Sequence, residues 1–464
     1  MARRRRCPSV IRRRPPGWGE RGPAPGDPGP ADGSLRLYPW YGRPVVSIAL
    51  LSMTTGFGQF GAVAALGDVA KSFGHLSHGT SFADQAGLSG TMLGIGLAVL
   101  RLASIGGLPL TSLADRLGRR PTMLATCAFG LAATVLAAAS PSYWWFVAIF
   151  ALGRPLLTAT LSITHVSAAE LTRTADRAKA LAFTAGGYGV GAGLIAVIHS
   201  LGGGTLGFRG IFLLALVPLA LLPLLRSSII EPDRFVVAEE AQHRRPVIGP
   251  AVRRPRRRMI GMVGREHRRR LVVVATMSFA VSMITGPANS LVFIYAQNVR
   301  HASGILVSAM VVSAGVTGLV GLLLGRWASD RIGRRPTIAV AMAVIAALGV
   351  LTYSGSTPAL LLGYVAGVMA SSMLAPAAGA LANELFPTSV RASAAGWYLA
   401  TGVLGAVVGL LVFGAVADVG GTANHALVAA AVTFLPVVPV AALLWLLPET
   451  RGRELEEMWP APLT

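Results

Sequence analysis

Arg101 and Arg154 lie inside long apolar runs, where a guanidinium needs either a partner or a task. On insertion scales a charge at the centre of a spanning helix costs about 2.5 to 3.5 kcal/mol. Arg154 stands about 12 residues into its run, roughly 18 Å of helix, which is near mid-depth. Such a group can attract an anionic solute, hold a proton-coupling partner, or bond to helix carbonyls. The acids bear on that choice. Asp68, Asp84 and Asp418 fall near the ends of apolar runs and the remaining acids lie in polar segments, so no carboxylate is expected at mid-depth. Buried positive charge without a deep acid favours an anionic substrate over a cationic one. A coupled proton would use Asp68, Asp84 or a histidine such as His165, each of which has a capping or surface role as its alternative.

Other chemistries have no matching residues. His165, His199 and the scattered acids do not converge in spacing on a nucleophile, an acid–base pair or a metal centre, so neither an enzyme nor a cofactor is expected. No G-x-x-x-x-G-K-[ST] loop occurs, which argues against ATP-driven transport by this chain. Cys7 sits in a polar arm and Cys127 in an apolar run, so no disulfide framework is expected.

The elements that must position the arginines are membrane helices. The chain is 53% hydrophobic and only 13% charged, where soluble proteins carry about 25% charged residues. About twelve apolar runs are long enough to cross a hydrocarbon core about 30 Å thick as helices. They cover 45–70, 86–110, 122–139, 143–168, 178–201, a sixth run ending near Leu225, then 271–299, 304–326, 337–353, 359–385, 392–416 and 426–447. The seventh is interrupted by Gly286 and Pro287, which predicts a break lining a cavity. A net charge of +21 could suggest nucleic acid, but the arginines alternate with the spans and lack interleaved aromatics. That alternation is the positive-inside pattern, and it places both termini in the cytoplasm of a cell membrane protein.

The spans fall into two copies of one design. LADRLGRRP, residues 113–121, returns as ASDRIGRRP, residues 328–336. ELTRTADR, with Glu170 and Arg177, returns as ELFPTSVR, with Glu384 and Arg391, and EPDR at 231–234 is loosely matched by PETR at 448–451. The domain reading is therefore a disordered basic arm over 1–40, a six-helix bundle over 41–226, a basic linker over 227–270, a second six-helix bundle over 271–448 and a tail over 449–464.

At these residues the sequence resembles the major facilitator superfamily, whose loop between helices two and three has the form G-x-x-x-D-R-x-G-R-R. Asp115, Arg116, Gly118, Arg119 and Arg120 fit it, with Thr111 or Ser112 in place of the first glycine. Gly325, Asp330, Arg331, Gly333, Arg334 and Arg335 fit it in the second copy. The resemblance covers about residues 41–457. ELFPTSVRASAAGWYLATGVLGA and PETRGRELEE look like the sugar-porter, metabolite and organic-ion branches. The first helix carries TTGFGQFG where metabolite and aromatic-acid carriers place an Asp pair, and GGYGVGAG in the fifth lacks the Pro of the drug antiporters.

The resemblance implies an all-α fold of twelve transmembrane helices in two pseudo-symmetric bundles that rock about a central site, acting as a monomer. It implies a cytoplasmic gate built from the two charged turns together with Glu170, Arg177, Glu384 and Arg391. Arg154 aligns with the family's helix-four arginine, although Thr158 and Thr160 replace the glycines that follow it. Candidate binding residues on the cavity helices are Gln59, Thr158, Asn289, Ser290, Ser371 and Ser372, with Tyr188, Trp397 and Tyr398 as aromatic walls. Each Ser or Thr has bonding to a helix carbonyl as its alternative. The function implied is secondary transport of an organic acid, sugar or related metabolite, by proton-coupled uptake. Efflux of a drug or metabolite is the alternative, and a non-transporting membrane sensor is the reading from another class.

Overall fold

The computed structural model describes residues 36–76, 79, 81–173, 175–202, 206–233, 265–419 and 425–451. Residues 1–35 of the arm expected over 1–40, residues 234–264 of the linker expected over 227–270 and residues 452–464 of the tail expected over 449–464 lie outside the described residues, while the helices reach to Ser228 and begin again at Arg265, inside the expected linker. Twelve helices are long and apolar enough to span a bilayer: Arg43–Ala64 (α1), Gly90–Leu117 (α2), Arg119–Ala139 (α3), Tyr143–Leu171 (α4), Arg177–Leu201 (α5), Gly207–Ser228 (α6), His267–Val299 (α7), Gly304–Arg331 (α8), Arg334–Thr352 (α9), Thr357–Ala382 (α10), Ala394–Val419 (α11) and His425–Leu446 (α12). Six precede the linker and six follow it. The protein is an all-helical polytopic membrane protein.

Two departures from the sequence reading follow from backbone chemistry. The first expected span, 45–70, is two helices, because α1 stops at Ala64 and a short helix, Leu66–Phe73, continues after a one-residue break. The break expected at Gly286 and Pro287 falls later. Helix Arg265–Ser290 runs through Pro287, and the turn comes at Leu291, whose N–H bonds to the Pro287 carbonyl at 2.8 Å. Pro removes only its own donor, so the helix can continue past it where neighbours pack against the bend. A π-helical turn, Tyr295–Val299, then ends α7.

Bulky side chains would hold these helices apart, and small residues let them meet. α1 lies along α5 where Gly56 meets the Tyr188 carbonyl and Gly191 meets that of Met53. In the second half, α7 lies along α11 where Gly405 and Gly409 meet the carbonyls of Phe279 and Met283.

The turns of the two repeats mark one end of the molecule, called here the arginine-rich end. The hydrogen bonds described between the two halves all lie toward the opposite end. There Asn298 donates through Nδ2 to the carbonyls of Gly67 and Ala86, both at 3.1 Å. Asp418 accepts from the backbone N–H of Gly90 and Thr91. Phe60 and Phe293 meet edge to face, 5.6 Å apart. The halves are therefore sealed at the opposite end.

Candidate functional site

Between the halves lies a cavity of about 310 Å³, walled by Arg101 from α2, by Ser278, Ser282, Thr285 and Asn289 from α7, and by Tyr398, Gly402 and Ala406 from α11. Pockets for small organic ligands begin at about 300 Å³. Among the described residues Arg101 donates no hydrogen bond and meets no carboxylate. Arg101 thus lines the cavity with no described partner for its guanidinium. A second pocket of about 20 Å³ continues from Asn289 to Tyr364 and Ser371. That volume suits roughly one water molecule.

Arg154 is placed differently. Its Nη1 donates to the Gln59 carbonyl at 3.3 Å and its Nε to Ser104 Oγ at 3.4 Å, so it braces α4 against α1 and α2. The Tyr188 hydroxyl donates to Gln59 Oε1 at 3.3 Å, and Gln59 itself is 4% exposed with its Nε2 unbonded. Together Gln59, Arg154 and Tyr188 form a polar cluster held by α1, α4 and α5.

The structure brings Arg101, Asn289 and Tyr398 to the cavity and Ser371 to the adjoining pocket. It places four other candidates elsewhere. Thr158 Oγ1 bonds to the Arg154 carbonyl at 2.9 Å, and the side chain packs where a Cβ on Gly107 would lie. Ser372 packs against Gly318 and Gly321 of α8. Ser290 is buried and Trp397 half-buried, and neither lines the cavity. Ser278, Ser282 and Thr285 were not singled out from the sequence. Their spacing along one face of α7, at intervals of four and three, is the signal in the sequence that could have found them.

The charged turns are duplicated down to their hydrogen bonds. Arg119 pairs with Asp115 at 3.2 Å and with Glu170 at 2.5 Å. Arg334 pairs with Asp330 at 3.0 Å and Glu384 at 3.3 Å. Glu231 accepts from the backbone N–H of Arg119 and Arg120 at 2.5 and 2.8 Å, and Glu449 accepts from Arg334 and Arg335 at 2.9 and 3.1 Å. Each carboxylate caps the start of a span, where free N–H groups favour negative charge. Gly118 and Gly333 precede these starts with φ of 99° and 124°, a region that side chains avoid. The outer nitrogens of Arg120 and Arg335 reach the carbonyls of Arg226 and Trp445. Thr450 adds a short hydrogen bond to Glu384. Arg116 and Arg331 are exposed, Arg177 has no ion pair among the described residues, and the side chain of Arg391 lies outside them. Every described contact of these networks stays within its own half. The loose match between EPDR and PETR is thus the pair of capping carboxylates, Glu231 and Glu449.

The acids at the opposite end have distinct partners. Asp68 meets His199 Nε2 at 2.8 Å, and Gln297 of the second half approaches the other ring nitrogen at 3.3 Å. His199 is 8% exposed. Asp84 closes a capping box with Ser81 at the start of the helix Phe82–Ala86. His165 has a buried, unbonded Nε2 and does not line the cavity. Among the described residues no group of three or more His, Cys, Asp or Glu converges as a metal site.

Residues 48–347 and 271–462 match the Major Facilitator Superfamily. The chain is 26% identical over 391 residues to a probable 4-methylmuconolactone transporter of Cupriavidus pinatubonensis, covering 81% of this chain and 86% of that one. It is 26% identical to a gallate transporter of Pseudomonas putida, covering 68% and 75%. The same identity relates it to a gentisate transporter of Corynebacterium glutamicum, covering 71% and 73%. Among solved structures, the inward-open xylose transporter of E. coli superposes with a TM-score of 0.67 at 18% identity, covering 89% of this chain and 98% of that one. At that identity the likeness carries the fold alone.

Proposed function

The chain belongs to the major facilitator superfamily and is a secondary transporter of a small organic solute; on that premise we propose that the solute is an organic acid anion, taken up by alternating access and bound beside Arg101. One observation carries this reading. Arg101 lines the cavity between the halves, and no carboxylate among the described residues pairs with it. A guanidinium in that setting binds a carboxylate strongly and repels a cation. Ser282, Thr285 and Asn289 supply hydrogen-bonding groups along the same cavity and Tyr398 supplies a ring, while the Ser278 hydroxyl is already donated to the Tyr398 carbonyl at 2.6 Å. The names of the gallate and gentisate transporters support the same chemical class, since both solutes are carboxylates.

Orientation follows from the distribution of basic residues. The arginine-rich end faces the cytoplasm of the cell membrane, so the end sealed by Asp418 and Asn298 faces outward and the cavity is presented inward. Proton coupling is assigned to the Asp68–His199 pair, which sits at that outer seal and reaches Gln297 of the other half. A proton arriving there alters a contact shared by both halves, which is how a coupling ion biases an equilibrium between two states.

Labelled-solute counterflow in proteoliposomes tests the reading. Saturable exchange of small carboxylates, with concentrative uptake abolished by a protonophore, is the expected result. Exchange of cations or neutral sugars alone would overturn the anion assignment, and tight binding without flux would make the protein a sensor.

A further inference from the structure

On α8, at the arginine-rich end and away from the central cavity, Leu323, Arg326, Trp327, Asp330, Arg331 and Arg451 line an open cleft of about 480 Å³. The five residues from α8 recur at intervals of three and four and so share one face of the helix. That face is turned away from the protein. Gly321 and Gly325 carry the packing of α8 against α10, whereas Leu323 is 70% and Trp327 54% exposed. In a spanning helix such a face meets lipid.

The charge balance of the cleft is lopsided. Its one acid, Asp330, is already paired with Arg334 at 3.0 Å. Among the described residues no carboxylate lies within ion-pair distance of Arg326, Arg331 or Arg451. Arg331 stacks over the Trp327 ring, 5.9 Å from its centroid, which orients the guanidinium beside an aromatic of the kind that favours the membrane–water boundary. Three guanidiniums that no described carboxylate pairs with, next to exposed apolar surface, fit a ligand that joins a phosphate to hydrocarbon.

The duplication supplies an internal comparison. The matching positions of the first half are Leu108, Thr111, Ser112, Asp115 and Arg116. Thr111 and Ser112 turn their hydroxyls back onto the carbonyls of Leu108 and Pro109 at 2.7 and 2.8 Å, in place of an arginine and a tryptophan. The shared turn motif therefore does not require Arg326 or Trp327. They are additions of the second half.

We propose that this cleft binds the headgroup of an anionic phospholipid of the phosphatidylglycerol kind, with Arg326, Arg331 and Arg451 on the phosphate and Leu323 and Trp327 along the acyl chains. Full-length protein in nanodiscs containing phosphatidylglycerol or phosphatidylcholine with brominated chains, at equal mole fraction, tests it. Subtracting the fluorescence of Trp327→Phe isolates Trp327. Quenching at least twofold greater by phosphatidylglycerol is expected. That excess should vanish in Arg326→Gln/Arg451→Gln and survive in Arg326→Lys/Arg451→Lys, which keeps the charge and guards against misfolding. Equal quenching by both lipids, or an excess indifferent to the Gln pair, overturns the site. Loss of the excess on adding millimolar inorganic phosphate would identify a soluble anion as the ligand and overturn the lipid assignment.

Discussion

Asp418, near the end of α11, accepts the backbone N–H of Gly90, the first residue of α2, at 2.7 Å, and that of Thr91 at 2.8 Å. One half thus caps a helix of the other. The crossing is close because Gly90 and Gly94 carry no side chain, and a Cβ at either would press on the carbonyls of Gly414 or Leu410. The repeat builds the same crossing again, where Gly304 at the start of α8 meets the Ser200 carbonyl of α5. Ser89 and Ser303 cap α2 and α8 alike.

Removing the charge of Asp418 should loosen this seal. Asp418→Asn keeps an acceptor oxygen but weakens two charge-assisted bonds, a change of roughly 1 to 2 kcal/mol, or about 5- to 30-fold in the ratio of the two states. Cysteine introduced at Ser282 should then react faster with a membrane-impermeant maleimide added from the sealed side. An unchanged rate would mean that Asp418 merely decorates the crossing.

Arg101→Gln should raise KM about tenfold or more for the transported anion, because one charge-assisted contact is worth about 1.5 to 3 kcal/mol. Arg101→Lys should retain part of the affinity, as a point charge without the planar fork. Uptake kinetics on reconstituted protein decide this, and a KM unmoved by Arg101→Gln would remove the residue from the site.

Thr158→Val should leave KM within about twofold. Its hydroxyl is bonded within α4 and its side chain faces Gly107 rather than the cavity, and valine keeps the shape of that contact. A large rise in KM would show that α4 rotates Thr158 into the cavity during transport.

Gly118→Ala and Gly333→Ala should each cost about 1 to 3 kcal/mol, since φ of 99° and 124° is strained for any side chain. The second should be worse, because its Cβ would stand 2.9 Å from Glu449 Oε2 against 3.3 Å from Glu231 Oε2. Thermal unfolding in detergent should show both midpoints lowered and that order. Equal or absent shifts would mean that the capping carboxylates yield freely.

The sequence by itself determined the class, the duplication and the chemistry of the turns. Apolar runs of spanning length can only be helices in lipid, because every backbone group must find its partner within the segment. The DRxGRR turns were legible because their partners are local or recur at a fixed offset, and the structure joins Arg119 to Glu170 and Arg334 to Glu384. What the sequence could not apportion was the role of its two deep arginines. Arg101 and Arg154 are equally costly on insertion, and only tertiary structure turns one to the cavity and ties the other to Gln59 and Ser104. The same holds for Asp418, whose partners are backbone N–H groups of a distant helix. A backbone donor has no letter in the sequence, so a contact made to one becomes visible only when the helices are in place.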